Sequence, residues 1–119
     1  MLDYNCTCPV EATLKVIGGK WKLLIYRELF FRGPRRFGEL KDGIHSISAK
    51  VLTQQLRELE ADNVVLRTVY PEIPPRVEYC LTPAGESLQE VLFAMCHWGT
   101  AFLSKQLPFS SPDACRQEA

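Results

Sequence analysis

Four side chains on one stretch have the chemistry to read nucleic acid. From Ser48 to Glu60 the sequence runs Ser-Ala-Lys-Val-Leu-Thr-Gln-Gln-Leu-Arg-Glu-Leu-Glu. At about 100° per residue, Lys50, Gln54 and Arg57 share one helical face with Thr53 on its flank. Leu52, Leu56 and Leu59 make an apolar stripe on the other side. Long or small hydrogen-bond donors of this kind suit phosphates and the edges of bases. Ser48 is a good N-cap, because its hydroxyl accepts from the free N–H groups of the first turn. Asn63 stands at the C′ position, where its tolerance of positive φ helps to end the helix. A solvated face on an ordinary surface helix has the same composition, so the neighbouring segments must decide.

The five cysteines, Cys6, Cys8, Cys80, Cys96 and Cys115, are the other reactive set. Their odd number and the large apolar content do not suit a secreted disulfide framework. Cys8 precedes Pro9, which fits the first position of a helix, so the thiol stands at the cap. There it meets the positive end of the helix dipole and free N–H groups, which stabilise thiolate, the reactive form. Lys15, Lys20 and Lys22 add positive potential if the fold brings them near. Cys6 is a second candidate; a Cys6–Cys8 bridge would be strained, and a bridge to a second subunit is equally open. Packing of Cys8 as a small apolar residue is the competing reading. Cys80 and Cys96 read as buried filler and Cys115 as incidental. Cys6 and Cys8 with His45 or His97 have no recognisable metal-ligand spacing, and no metal or cofactor is expected.

Charge is uneven along this 119-residue, formally neutral chain. Residues 15–50 hold nine basic residues (Lys15, Lys20, Lys22, Arg27, Arg32, Arg35, Arg36, Lys41 and Lys50) against three acids, a local charge of +6 that the rest balances with −6. Such an asymmetry suits one polyanion-binding surface on a neutral whole. No apolar run approaches the roughly 20 residues of a membrane span, and no signal peptide is visible at the N-terminus. A cytoplasmic protein without membrane attachment is expected.

These residues need elements to position them. Val10, Leu14 and Ile17 form a helical stripe behind Pro9, and Gly18-Gly19 breaks it. Lys20–Phe31 reads as a central buried helix, with Trp21, Leu23, Leu24, Ile25, Tyr26, Leu29, Phe30 and Phe31 nearly surrounding it. Arg35-Arg36-Phe37 is a short strand or a turn. Residues 37–44 form a short helix carrying Phe37, Leu40 and Ile44 inward. After the turn at His45-Ser46-Ile47 comes the donor-bearing helix, completing a helix-turn-helix pattern. Val64–Tyr70 and Arg76–Leu81 read as strands joined by the turn Pro71-Glu72-Ile73-Pro74-Pro75. A hairpin there is a wing, and Arg67 and Arg76 become candidate DNA contacts or, alternatively, partners of Glu72 or Glu78. From Thr82-Pro83 a last helix of roughly twenty residues, about 30 Å long, runs to Leu103. Its stripe of Leu88, Leu92, Met95, Gly99 and Phe102, widened by Val91 and Trp98, exceeds what so small a core covers, so a second copy of the chain is expected on it. The fold class is mainly α with a small β-hairpin. Residues 1–107 form a single winged helix-turn-helix domain for DNA binding and dimerisation, and 108–119 a disordered tail.

In this order of elements the chain resembles the HxlR-type regulators, winged-helix transcription factors related to the MarR-like superfamily. The resemblance spans about residues 8–103. It rests on Cys8-Pro9-Val10-Glu11-Ala12-Thr13-Leu14, Gly18-Gly19-Lys20-Trp21-Lys22, Arg36-Phe37-Gly38-Glu39-Leu40, Leu52-Thr53-Gln54-Gln55-Leu56-Arg57-Glu58-Leu59, Pro74-Pro75-Arg76-Val77-Glu78-Tyr79 and Leu81-Thr82-Pro83-Ala84-Gly85. Asn63 stands where the family usually has glycine. The resemblance implies a homodimer that binds double-stranded operator DNA through the helix at 48–62 and the wing at 66–81, mainly as a repressor. Candidate DNA contacts are Ser48, Lys50, Thr53, Gln54, Arg57, Arg67, Arg76 and Arg36. Terminal helices build the dimer in such proteins, which points to Val10, Leu14, Leu88, Leu92, Met95, Trp98 and Phe102. It also implies sensing of an oxidant or electrophile at Cys8 in some members. A ligand pocket lined by Trp21, Trp98, Phe30 and Phe102 at the dimer interface is the alternative control. Two other classes compete. A protein-interaction winged helix would not need the donor face. A thiol enzyme built on Cys8 lacks a convincing set of catalytic partners.

Overall fold

The computed structural model describes residues 8–105. They belong to two compact units, one ending at Glu86 and one beginning at Ser87. Cys6, Cys115 and the tail from 108 lie outside the described residues.

The first unit opens with α1 (Pro9–Ile17) and α2 (Lys20–Arg32). They are separated at Gly18-Gly19, where Gly19 adopts φ 85°, a backbone that residues with a Cβ rarely take. Then come β1 (Arg35–Arg36), α3 (Phe37–Gly43) and α4 (Ala49–Ala61). Both ends of α4 are closed by local chemistry. Ser48 Oγ accepts from the Val51 N–H at 3.1 Å, satisfying one orphan donor of the first turn. At the other end Asn63 has φ 62°. The Val64 N–H donates to the Leu59 carbonyl and the Asn63 N–H to the Glu60 carbonyl, the paired bonds of a Schellman closure.

The core of this unit comprises Ile25, Tyr26 and Leu29 of α2, Leu40 of α3, Ile44 and Ile47 of the turn, Leu52, Leu56 and Leu59 of α4, and Val64 and Val65 beyond it. Ala12 and Ile17 of α1 are buried too. The helix-turn-helix reading is thus built as expected: α3 and α4 both send their apolar residues into one core. α2 departs from expectation. It is not apolar all round: Phe31 is 69% exposed, whereas Lys22 and Glu28 are buried. Each buried charge has a partner, Glu58 for Lys22 and Arg32 for Glu28, as burial of a charge requires.

β2 (Val65–Tyr70) and β3 (Arg76–Leu81) pair antiparallel with Arg67 opposite Tyr79 and Tyr70 opposite Arg76. β1 adds to the far side of β3, giving the order β1-β3-β2. The wing is therefore part of a three-stranded sheet with β3 in the middle. That central position explains why every β3 residue is half-buried where the alternation of Val77, Tyr79 and Leu81 predicts one covered face.

Thr82 ties the wing back to α4. Its hydroxyl donates to the Asn63 carbonyl at 2.5 Å and accepts from the Gly85 N–H at 2.9 Å, while its own N–H donates to the Val64 carbonyl. α5 (Pro83–Glu86) follows. Tyr26 Oη donates to the Gly85 carbonyl at 2.7 Å. Burial, and then the Glu86 carboxylate, raise the Tyr26 pKa and keep it the neutral donor.

The expected twenty-residue terminal helix is two helices. α5 ends at Glu86 and α6 runs Gln89–Leu103 in the second unit. Tyr26 draws on the Gly85 carbonyl, the acceptor that an unbroken helix offers to the Gln89 N–H, and glycine is itself a poor helix former. None of the α6 residues is buried. Cys96 is exposed and Cys80 half-buried, so the expectation of Cys96 as buried filler is corrected: α6 turns no residue into a covered core. No helix of the described residues is long and apolar enough to cross a membrane.

A Cβ at Gly85 would collide with the Val64 carbonyl, whereas one at Gly38 in α3 meets nothing. Gly85→Ala should therefore destabilise by about 1–3 kcal/mol or more. Gly38→Ala should stabilise by about 0.5–1 kcal/mol. Urea unfolding of the two variants beside the parent checks both signs.

Candidate nucleic-acid interface

α4 divides into two faces. Leu52, Leu56 and Leu59 are at most 1% exposed, and Lys50, Gln54 and Arg57 stand in solvent with Thr53 half-buried between them. Lys50, Thr53, Gln54 and Arg57 line one hollow together with Ala49. A second hollow continues from it. Thr53 and Arg57 line this one as well, with Leu56, Glu60, Arg67 of β2 and Tyr79 of β3. The donor face of α4 thus runs without interruption onto the base of the wing. Lys50, Arg57 and Arg67 make no ion pair with another described residue. Their charge is available to an external anion.

The other candidates are placed differently. Ser48 is exposed, with its hydroxyl engaged as the cap of α4. Arg76 at the wing tip is held within the wing: it pairs with Glu72 at 3.0 Å and with Glu78 at 2.6 Å. It also lies 3.9 Å from the centre of the Tyr70 ring. Hydrogen bonding to Arg76 first, then the charges of Arg76 and Arg36, hold the Glu72 carboxyl below its usual range. The sequence left Arg76 between a DNA contact and a partner of Glu72 or Glu78, and the second arrangement is the one observed. Arg36 is exposed at the outer strand of the sheet; its backbone N–H donates to Glu39 Oε1 at 2.9 Å. With Arg32 and Arg35 it borders a hollow that Glu39, Asp42 and Glu78 also line.

Sequence reasoning missed one pair behind this face. Lys22 Nζ lies 2.6 Å from Glu58 Oε1, and Glu58 Oε2 accepts from Gln54 Nε2 at 3.2 Å. The i, i+4 spacing of Gln54 and Glu58 was legible. Lys22 comes from another helix, and only the folded chain brings it there.

Cys8 is exposed and caps α1, as its position before Pro9 suggests. Its Sγ accepts from the Glu11 N–H at 3.4 Å, and Glu11 Oε1 accepts from the Cys8 N–H at 3.3 Å. Of the three lysines near it in sequence, Lys22 turns inward to Glu58 and Lys20 lies over the Trp21 ring. Val10 and Leu14 are 67% and 56% exposed on α1. On α6, Met95 and Trp98 are about half exposed and Leu92 and Phe102 half-buried, as is Leu88 at its N-cap. The Trp98 and Phe102 rings stack at 5.2 Å, and the Phe30 ring stacks on Tyr26. Among the described residues no group of three or more His, Cys, Asp or Glu is arranged to hold a metal ion.

Known proteins resemble this chain in sequence and fold. The HxlR-like helix-turn-helix family matches residues 16–107. An uncharacterised helix-turn-helix transcriptional regulator of Bacillus subtilis, YtcD, is 51% identical over 102 residues, covering 86% of this chain and 79% of the relative. Among solved structures, the redox regulator HypR in its oxidised form superposes with a TM-score of 0.73 at 48% identity, over 79% of this chain and 96% of that one. The diamide-treated YodB of B. subtilis gives a TM-score of 0.69 at 37% identity, over 82% and 97% of the two chains. The protein is thus a transcriptional regulator and not an enzyme, and with its winged helix-turn-helix fold it belongs to the HxlR-like helix-turn-helix family.

Proposed function

We propose that this regulator is a sequence-specific repressor that binds operator DNA as a homodimer and answers to oxidation or alkylation of Cys8. The observation that carries the DNA-binding reading is the divided surface of α4. Its leucines are locked in the core, and Lys50, Thr53, Gln54 and Arg57 line one hollow that continues to Arg67. A helix of this build fits the major groove, with phosphates taken by Lys50 and Arg67 and base edges by Gln54 and Arg57. The basic excess of residues 15–50, which falls from +6 to +5 once Lys22, buried and paired with Glu58, is left out, supplies long-range attraction to the duplex. Thr53 and Ser48 lie at the near edge of the same face, Arg36 and Arg76 at the sheet.

Dimerisation is supported by apolar side chains that are about half or more exposed on both terminal helices: Val10 and Leu14 on α1, and Phe93, Met95 and Trp98 on α6. A second copy covers such surfaces most economically through a two-fold interface. Control at Cys8 is supported by its exposure at the cap of α1 and by the solved structures of oxidised HypR and diamide-treated YodB. Diamide takes two electrons and two protons from a pair of thiols. The partner of Cys8 is then Cys6 or a cysteine of the second subunit. α1 carries both Cys8 and the exposed Val10 and Leu14, so a bond at the cap bears on the dimer. The effector must favour one dimer geometry over the other in free energy for DNA affinity to change.

Arg57→Ala and Gln54→Ala should each cost about 1–3 kcal/mol of binding and relax the preference at one base pair per half-site. Lys50→Ala and Arg67→Ala should weaken all sequences alike and reduce the salt slope by about one each. Anisotropy titrations at several salt concentrations separate the two classes; four variants indistinguishable from the parent would show that another surface binds.

Leu92→Glu or Met95→Glu should convert a dimer to a monomer, because an unpaired charge in an apolar seam is costly. Sedimentation equilibrium at micromolar concentration measures this, and a monomeric, folded parent would exclude the assembly.

Cys8→Ser should keep the fold, since a hydroxyl also caps, and keep DNA binding while losing the response to diamide. Gel-shift assays with and without diamide provide the readout. A variant that responds as the parent does would move the sensing elsewhere.

A further inference from the structure

Lys22, Glu58 and Gln54 form a line of contacts from the core to the outer face of α4. Lys22 is 8% exposed, and a lysine that deep stays charged only beside a partner. Glu58 supplies it through Oε1 at 2.6 Å. The second oxygen, Oε2, accepts from Gln54 Nε2 at 3.2 Å. The bonds from Lys22 and Gln54, with the charge of Lys22, hold the Glu58 carboxyl below its usual range, so at neutral pH it is a carboxylate and only accepts. That decides a point that amide geometry alone leaves two-fold ambiguous. Only the NH2 end of Gln54 can face Glu58.

We infer that Lys22 and Glu58 are positioning residues for sequence recognition. They lock the Gln54 amide so that its carbonyl oxygen and one N–H face outward, a pattern that selects adenine. The inference rests on the proposed role of α4 as the DNA-reading helix. A freely turning glutamine offers two donors, or a donor and an acceptor, to whichever base it meets. Held through one N–H, Gln54 offers Oε1 to the adenine N6–H and its remaining N–H to N7. Guanine presents two acceptors at N7 and O6, so the outward Oε1 would face O6 with no hydrogen between them. The anchor is firm because Lys22 belongs to α2, a separate core helix, and Glu58 is one turn along α4 from Gln54, where i and i+4 side chains meet.

The test is selection of preferred sites from randomised duplex DNA by the parent, Gln54→Ala, Glu58→Gln and the double variant Lys22→Met/Glu58→Met. Thermal melts are recorded alongside. The double variant removes both charges together, so no unpaired charge is left in the core, and such replacements are often neutral for stability. In Glu58→Gln the one remaining carbonyl goes to the Lys22 ammonium and the new NH2 faces Gln54, so the Gln54 amide loses its acceptor and is free to turn its carbonyl inward, which removes the adenine pattern while the packing is kept.

At the base pair where Gln54→Ala loses its preference, the parent should favour adenine over guanine by about tenfold or more. Glu58→Gln and the folded double variant should lose most of that discrimination there and keep the parent's preferences at every other position. Full discrimination in both variants at the Gln54-dependent position would overturn the relay and leave the reading of α4 intact. Equal loss at all positions would overturn it in favour of a purely structural role, as would a parent preference for a base other than adenine at that position. A Gln54→Ala profile identical to the parent's would overturn the relay because α4 itself does not read bases through this residue.

Discussion

The burial of Leu52, Leu56 and Leu59 fixes what the rest of α4 can do. Each leucine stabilises the fold by about 1.5–3 kcal/mol when fully buried, and each is at most 1% exposed. A helix turns about 100° per residue, so three buried positions leave no rotational freedom. Lys50, Gln54 and Arg57 point outward because the leucines point inward. The Lys22–Glu58 pair adds a polar peg at the edge of the same contact. It couples α2 to α4 through a charge that cannot slide along an apolar surface without losing its partner.

The ends of α4 extend that constraint to the wing. The Schellman closure at Asn63 turns the chain into β2, and Thr82 pins the far end of β3 to Asn63 and Val64. Arg67 is carried on the strand that leaves this corner and lines a common hollow with Arg57. The wing tip is organised separately. Glu72, Glu78 and Tyr70 surround Arg76, which makes it part of the scaffold of the tip and leaves Arg67 as the unpaired wing cation among the described residues. In this arrangement the basic surface and the core are two sides of the same helix and sheet, and a change in packing at one is felt at the other.

The fold was legible where local pattern decides it. Ser48 and Asn63 marked the ends of α4, Pro9 and the cap position of Cys8 marked α1, and the spacing of the leucines identified the buried face. The interruption between α5 and α6 was legible only in part: Gly85 stands in the sequence, but Tyr26 reaching its carbonyl across 59 positions does not. The third strand was equally hidden: two arginines carry no strand pattern, and β1 exists because β3 offers an open edge. Lys22 was counted with the basic residues that could attract DNA or activate Cys8, whereas it is buried. Its role depends on a contact between α2 and α4 that no window of sequence contains. Among the candidate DNA contacts, the α4 face could be read from periodicity alone. That Arg76 is paired and Arg67 is not rests on the folded tip, where Glu72, four residues before Arg76, and Glu78, two residues after it on the same strand, both reach its guanidinium.

If this chain reads duplex DNA in two copies through α4 and the adjoining wing, hydroxyl-radical footprinting on the DNA upstream of its own gene will show both. Two protected patches should lie on one side of the duplex, separated by one helical turn of about 10–10.5 bp or a multiple of it. Protection should fade as salt is raised, as expected where lysines and arginines displace counterions from phosphates. A cleavage pattern unchanged at saturating protein would rule out binding there, and a single protected patch in place of a pair would rule out recognition by two copies.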